Sequence, residues 1–322
     1  MVCDVCVCAC CVCVVCVMCV VCTYRPDMTT LSLHTLFKLV AASELLDWWG
    51  LVRLSRVSRT SRDSLRFSRI DISFLKLDLI ALRNISKRWS LAGCRPIGLD
   101  NSKLRELVDF SSLHKLDLSW CVTISDVSAL EQCSRLHTLN LSGCRHISDV
   151  SALGRCSRLH TVKLYSCSML SDLSALGNCN SLYSLGFSMC GQLLDVYALG
   201  QCSSLHTLDL SFCDQLRDVS ALGHCTSLQS LSIYGCRGLT DICGLGSCRS
   251  LRTLSVVACE QIFDVSALGR SSSLLTLRLD GCGGLTEISA LGRCTSLRTL
   301  SIVNCEQIFD VSALGQCRIT RQ

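Results

Sequence analysis

Cysteine has the most chemistry to offer in this chain. It occurs 28 times in 322 residues, enough for metal clusters, disulfide frameworks or redox relays if the spacing allows. Nine of the thiols lie within residues 1–22, Cys94 and Cys243 stand apart, and 17 form two regular series. The first series is Cys121, Cys144, Cys167, Cys190, Cys213, Cys236, Cys259, Cys282 and Cys305. The second is Cys133, Cys156, Cys179, Cys202, Cys225, Cys248, Cys294 and Cys317, with Ser271 in the remaining place. Tetrahedral zinc needs four thiolates converging on one point, whereas a series at fixed interval sets them in a line. Rungs about 5 Å apart lie within cross-linking reach, so a reducing compartment, cytoplasm or nucleus, is expected. The spacing therefore predicts buried structural thiols that bond weakly to neighbouring backbone, with no metal and no cofactor.

Histidine repeats as well. His114, His137, His160 and His206 each follow a leucine at the same interval. A metal-binding row is one reading. Because Tyr183, Gln229, Arg252, Leu275 and Arg298 fill the same place, the row reads instead as a tolerant position beside a strand, copied by duplication. The segment CEQIFDVSALG, present at both 259–269 and 305–315, records such copying. There is no phosphate loop, H-E-x-x-H or G-x-S-x-G pattern, and GCGG at 281–284 reads as a turn. The chain is not expected to be an enzyme.

The elements that position these residues are set by one period. Leucine opens a unit at Leu113, Leu136, Leu159, Leu182, Leu205, Leu228, Leu251, Leu274 and Leu297, every 23 residues without insertion. The unit reads L-x-x-L-x-L-x-x-C-x-x-I/L-x-D-x-x-A-L-G-x-C-x-x, as in LHTLNLSGCRHISDVSALGRCSR at 136–158. Its L-x-L core alternates with period 2, as a half-buried strand does, so Leu139 and Leu141 point inward while Thr138, Asn140 and Ser142 point outward. So short a strand cannot bury its apolar face alone and must stack on its neighbours. Nine parallel strands at about 4.8 Å give a face roughly 40 Å long. The return, DVSALG, is too short for an α-helix and predicts a turn or 3₁₀ segment, with Asp149 and its equivalents accepting backbone N–H groups.

The pattern resembles the leucine-rich repeat family over residues 113–317. The resemblance implies an α/β solenoid, a horseshoe with a parallel concave sheet, a short 3₁₀ or turn convex side and a helical N-terminal cap. The D-V-S-A-L return is similar to the short-repeat class of internalins, and cysteine stands where that class has asparagine, as in the repeats of F-box proteins. L-x-L-S-x-C arrays are also similar to leucine-rich repeat proteins of trypanosomatid parasites, one of which is regarded as a candidate regulator of adenylate cyclase. Sequons at Asn84 and Asn140 are incidental, since a glycan on Asn140 would occupy the concave face.

The first third is different. Residues 5–22, VCVCACCVCVVCVMCVVC, are an uncharged run at the lower length limit for a membrane span. Asp4 stands where a signal peptide has a basic flank. A GT dinucleotide tract read in frame gives Val-Cys, so residues 1–30 read as low-complexity sequence outside the fold; a membrane anchor and a Cys-x-x-Cys metal site are the other readings. Residues 31–69 carry helical periodicity, and LVRLSRVSRTSRDSL resembles the close of an F-box. That resemblance implies docking to a Skp-type adaptor of a cullin ubiquitin ligase through Leu36, Leu46, Leu51, Leu54 and Val57; a plain helical cap is the alternative. Arg53, Arg56, Arg59, Arg62, Arg66 and Arg69 read as a solvated basic face. Residues 70–112 read as degenerate repeats, with Trp89, Leu91, Cys94 and Ile97 keeping the spacing of one unit.

Charge separates the two parts. Residues 113–322 carry 16 Lys/Arg and 16 Asp/Glu, which argues against nucleic-acid binding because phosphates need a clustered basic footprint. Function falls to the outward strand positions Asp117, Trp120, Asn140, Lys163, Tyr165, Met189, Asp209, Phe212, Tyr234, Arg278, Asp280 and Asn304. Aromatic and Arg anchors carry most binding energy at interfaces, which makes Trp120, Tyr165, Phe212 and Tyr234 the expected anchors for a protein partner.

Overall fold

The computed structural model describes residues 69–86, 90–107, 112–315 and 317–321. The Val/Cys run and the F-box-like segment with Leu36, Leu46, Leu51, Leu54 and Val57 lie outside the described residues. Twelve strands form one sheet in chain order, each parallel to the next. They are β1 (Arg69–Leu77), β2 (Ser90–Pro96), β3 (Lys115–Asp117), β4 (Thr138–Asn140), β5 (Thr161–Lys163), β6 (Ser184–Gly186), β7 (Thr207–Asp209), β8 (Ser230–Tyr234), β9 (Thr253–Val257), β10 (Thr276–Arg278), β11 (Thr299–Ser301) and β12 (Arg318–Thr320). The pairing keeps the 23-residue register: Leu116 faces Leu139, which faces Val162, which faces Leu185.

The inward leucines make one continuous core. Leu136, Leu139, Leu141, Ile147 and Leu153 of a single unit are all fully buried, each worth about 1.5–3 kcal/mol of transfer from water. The chain returns through 3₁₀ segments such as Ser151–Arg155 and Ser174–Asn178. The aspartate before each segment starts it: Asp149 Oδ1 accepts the Ser151 N–H at 2.7 Å, and Asp172 accepts from Ser174 at 2.7 Å. Glu287, one methylene longer, takes the Ser289 hydroxyl at 2.5 Å. The glycine of A-L-G is a packing requirement. A Cβ on Gly200 would lie 2.7 Å from the Ala221 carbonyl oxygen of the next unit, and one on Gly269 2.2 Å from that of Ala290.

Both cysteine series run through the interior as free thiols. Cys144 Sγ donates to the Leu118 carbonyl at 3.2 Å, and Cys167 to Leu141 at 3.3 Å. In the second series Cys156 donates to Leu130 and Cys179 to Leu153, both at 3.3 Å. Each of these four thiols thus ties its unit to a carbonyl of the unit before. Cys121 and Cys317, near the ends of the rows, are half-buried.

Residues 69–107 add two units whose returns are α-helices, α1 (Leu79–Ser86) and α2 (Asn101–Leu107). Asp100 caps α2, accepting the Lys103 N–H at 2.9 Å, as an N-cap carboxylate does. Here the expected register is corrected. Cys94 pairs with Leu116, so it occupies an inward strand position five residues from its expected place in the cysteine series. Ile97 is accordingly 46% exposed and not part of the core. Leu99, buried next to the turn at Gly98, stands where later units have cysteine. Among the described residues no helix is long and apolar enough to cross a membrane.

Candidate protein-binding face

Each strand is left through a tight corner. Cys121 N–H bonds the Leu118 carbonyl at 3.1 Å and Cys190 N–H bonds that of Phe187 at 3.1 Å. The residue before the cysteine has positive φ in all nine units: Trp120, Gly143, Ser166, Met189, Phe212, Gly235, Ala258, Gly281 and Asn304. A bond from the fourth residue to the first, with positive φ at the third, is the signature of a type II turn. That corner favours glycine, and in six units it holds a side chain instead.

Three of the expected anchors and neighbours sit there. Trp120 has φ +64° and is 60% exposed, Met189 has φ +64° and is 56% exposed, and Phe212 has φ +58° and is 46% exposed. Tyr165 and Tyr234 occupy the preceding position and are half-buried. The aromatics rest on glycines of the following unit. A Cβ on Gly143 would meet the Trp120 indole at 2.6 Å, one on Gly186 the Tyr165 ring at 2.5 Å, and one on Gly235 the Phe212 ring at 2.8 Å. The fold also brings Phe212 and Tyr234 together, with ring centroids 6.1 Å apart and tilted by 41°. Ser166 Oγ lies 3.5 Å from Met189 Sδ.

The charged positions divide. Asp117 pairs with Arg95 at 3.6 Å. Asp209 accepts the Ser211 N–H at 3.0 Å and its hydroxyl at 2.6 Å. Burial, then the nearby Asp209 carboxylate, push the Tyr165 phenol up. Asp280 is not a surface group as its spacing suggested: it is 8% exposed. It accepts from Ser301 Oγ at 2.5 Å, Val303 N at 3.0 Å and Arg278 Nη2 at 2.7 Å. Burial opposes its ionisation, but the bonds from Ser301 and Arg278 outweigh it and hold the carboxyl below the usual range. Arg278 is therefore a tied cation, whereas exposed Lys163 forms no ion pair with a described residue. Asn140 Oδ1 is spent on the Ser142 N–H at 3.0 Å, and Asn304, at a corner, is exposed.

One feature is absent from the expected anchors. The histidine row forms a stack, with His137–His160 centroids 4.5 Å apart, His160–Tyr183 4.7 Å and Tyr183–His206 4.1 Å, all within 18° of parallel. The exact 23-residue interval was its only signal, and a position that tolerates Gln and Leu conceals it. Among the described residues no group of three or more His, Cys, Asp or Glu side chains could hold a metal ion.

Two family models match, described as leucine-rich repeats in two copies at residues 111–155 and as a leucine-rich repeat at 201–222. No curated protein sequence matches. Among solved structures, internalin C2 of Listeria monocytogenes is 25% identical, with a TM-score of 0.51 over 69% of this chain and 93% of that one. An internalin, InlF, of the same bacterium is 22% identical, with a TM-score of 0.45 over 82% and 88%. The functional domain of its InlJ, which includes a cysteine ladder, is 20% identical with a TM-score of 0.48, and this chain spans 62% of it. The parallel sheet, the 3₁₀ returns, the two repeat matches and the likeness to internalin C2 agree: the chain folds as a leucine-rich repeat solenoid.

Proposed function

We propose that the chain is a non-catalytic scaffold that binds a protein partner on its concave strand face. One observation carries this reading. Trp120, Met189 and Phe212 stand exposed at left-handed corners where Gly143, Gly235 and Gly281 serve the same turn. A non-glycine residue in that region costs of order 1–3 kcal/mol, and exposure returns little burial energy. Large side chains kept at a cost, on a face of fixed strands, suit contact with something outside the chain. Leucine-rich repeat domains generally mediate protein–protein interaction, which supports the same reading.

The test separates binding from stability. Partners captured by the full chain are identified by mass spectrometry and their affinity is measured for variants. Tyr165→Ala and Phe212→Ala should each weaken binding by about 1–3 kcal/mol and change stability by under about 0.5 kcal/mol. Trp120→Gly should weaken binding without loss of stability, since it relieves the corner. Leu141→Ala, in the core, should cost about 2–5 kcal/mol of stability. Binding unaffected by all three face variants would place the partner elsewhere.

A second reading rests on LVRLSRVSRTSRDSL, whose likeness to an F-box makes the chain a substrate receptor of a cullin ligase. Co-purification with a Skp-type adaptor, lost on Leu51→Ala and Leu54→Ala, is its test.

A further inference from the structure

We infer that the row His114, His137, His160, Tyr183 and His206, continued by Arg252 and Arg298, is a docking stripe for an acidic, extended peptide segment of a protein partner, gripped more tightly as the histidines take up protons. This deepens the scaffold reading and rests on it.

The geometry comes first. Inside a stack spaced 4.1–4.7 Å, ring faces cover one another, so the column offers a ligand its ring edges. The Nδ1 of His206 lies 2.7 Å from the Ser204 carbonyl oxygen, so in the neutral ring the proton sits on Nδ1 and Nε2 carries a lone pair. Protonation turns Nε2 into a donor. The same edge thus changes from repelling a carboxylate to bonding it. The Nδ1 atoms of His137 and His160 lie 3.4 and 3.2 Å from the Thr138 and Thr161 hydroxyls.

Charge selects the ligand. The nine places of the row hold four imidazoles and two guanidiniums but no carboxylate. Arg135 and Arg158, two residues before His137 and His160, are exposed, and neither they nor Lys163 form an ion pair with a described residue. Lys115 follows His114. The nearest carboxylates on the same strands, Asp117 and Asp209, are engaged by Arg95 and by Ser211. Burial, then the neighbouring His160 and His114, hold the His137 imidazole below its ordinary range, so that ring resists charging alone and gains its proton together with an anion. Nucleic acid fits less well. The closed stack leaves no gap for a base, and the repeats have no net charge to attract phosphates. Nine rungs span about 38 Å, the reach of about 12 extended residues.

The probe is a fluorescein-labelled dodeca-aspartate peptide, still ionised at about pH 5.5 because Asp titrates near 3.9. Anisotropy with the full chain should show binding at least about tenfold tighter at about pH 5.5 than at about pH 7.5, weakened by salt. The triple variant His137→Gln, His160→Gln, His206→Gln should lose most of this pH dependence with its thermal unfolding unchanged, while Arg217→Gln with Arg237→Gln, exposed on the solenoid away from the row, should keep it. In the wild type, the peptide should raise the titration midpoints of the histidine ring protons seen by NMR, a measurement that does not depend on how the variants fold. Absent binding, unmoved midpoints, pH dependence undiminished in the triple variant, or tighter binding of a twelve-nucleotide thymidine strand would each overturn the proposal. A protein partner lost on Tyr165→Ala but held equally by the triple variant at both pH values would overturn the stripe and leave the scaffold standing.

Discussion

The indole of Trp120 lies over Gly143, which occupies the same turn corner one unit later and whose Cβ, if it had one, would stand 2.6 Å from the ring. The two residues solve one problem jointly. Trp120 takes a conformation that suits glycine, and the glycine of the next unit leaves room for the ring. Phe212 and Gly235 repeat the relationship further along the face.

Gly143→Ala breaks both halves of that arrangement. The new methyl meets the indole, and the backbone at φ +80° disfavours any side chain. A loss of about 1–3 kcal/mol is expected in urea melts. Gly283→Ala, where nothing lies within 4 Å, should stay within about 0.5 kcal/mol. Equal effects of the two would show that the seat is not what constrains Gly143.

Ala258→Gly should do the reverse. Ala258 stands at the same corner with φ +53° and is exposed, so its methyl brings strain without burial. Glycine relieves the strain but loosens the unfolded chain. The net expectation is a gain of up to about 1 kcal/mol, read as a higher urea midpoint with unchanged slope. A lower midpoint would mean that the left-handed corner carries no strain.

The strands, their register and the 3₁₀ returns were legible in the sequence because each follows from one local pattern: L-x-L alternation, a fixed period, and Asp149 placed to cap its own turn. What was not legible depended on neighbours 21 to 23 residues away. Nothing local in Tyr165 announces that Gly186 will seat it, or in Asp280 that Ser301 and Val303 will join Arg278 in enclosing it. Cys94 misled for a related reason. Its side chain matched the cysteine series, while the longer strand Ser90–Pro96 and helix α2 shifted the unit by five residues.

Asp280→Ala should cost about 2–3 kcal/mol near neutral pH, because it strands the Ser301 hydroxyl and the part-buried Val303 N–H and frees Arg278. The effect should depend on pH with a defined sign. The folded carboxyl is held below its usual range, so its contribution is present above the unfolded value near 3.9 and is lost as pH falls through the lower folded value. The gap in Tm between wild type and variant should therefore narrow as the pH falls below about 4. A gap that persists unchanged in acid would mean that packing, not ionisation, is what the variant removes.

The thiol rows predict alkaline unfolding. Burial pushes Cys144, Cys167, Cys190, Cys213 and Cys282 up to about 12, and Cys156, Cys179 and Cys202 up to about 11. In the unfolded chain a thiol titrates near 8.5. Above that value the unfolded state sheds protons that the folded state keeps, so stability is complete below about pH 8.5 and falls as pH rises towards the folded values. Each thiol then costs about 1.4 kcal/mol per pH unit, and eight together reach about 11 kcal/mol within one unit. That matches the whole stability of a typical domain, about 5–15 kcal/mol. Circular dichroism should show cooperative unfolding near pH 10, at a temperature where the protein is folded at pH 8. Replacing Cys144, Cys167, Cys190 and Cys213 with alanine should lower stability at neutral pH by leaving cavities. The same change should flatten its fall with pH, because four of the coupled protons are gone. Stability that stays level between about pH 8.5 and pH 10 would mean that the rows remain open to water and titrate as ordinary thiols.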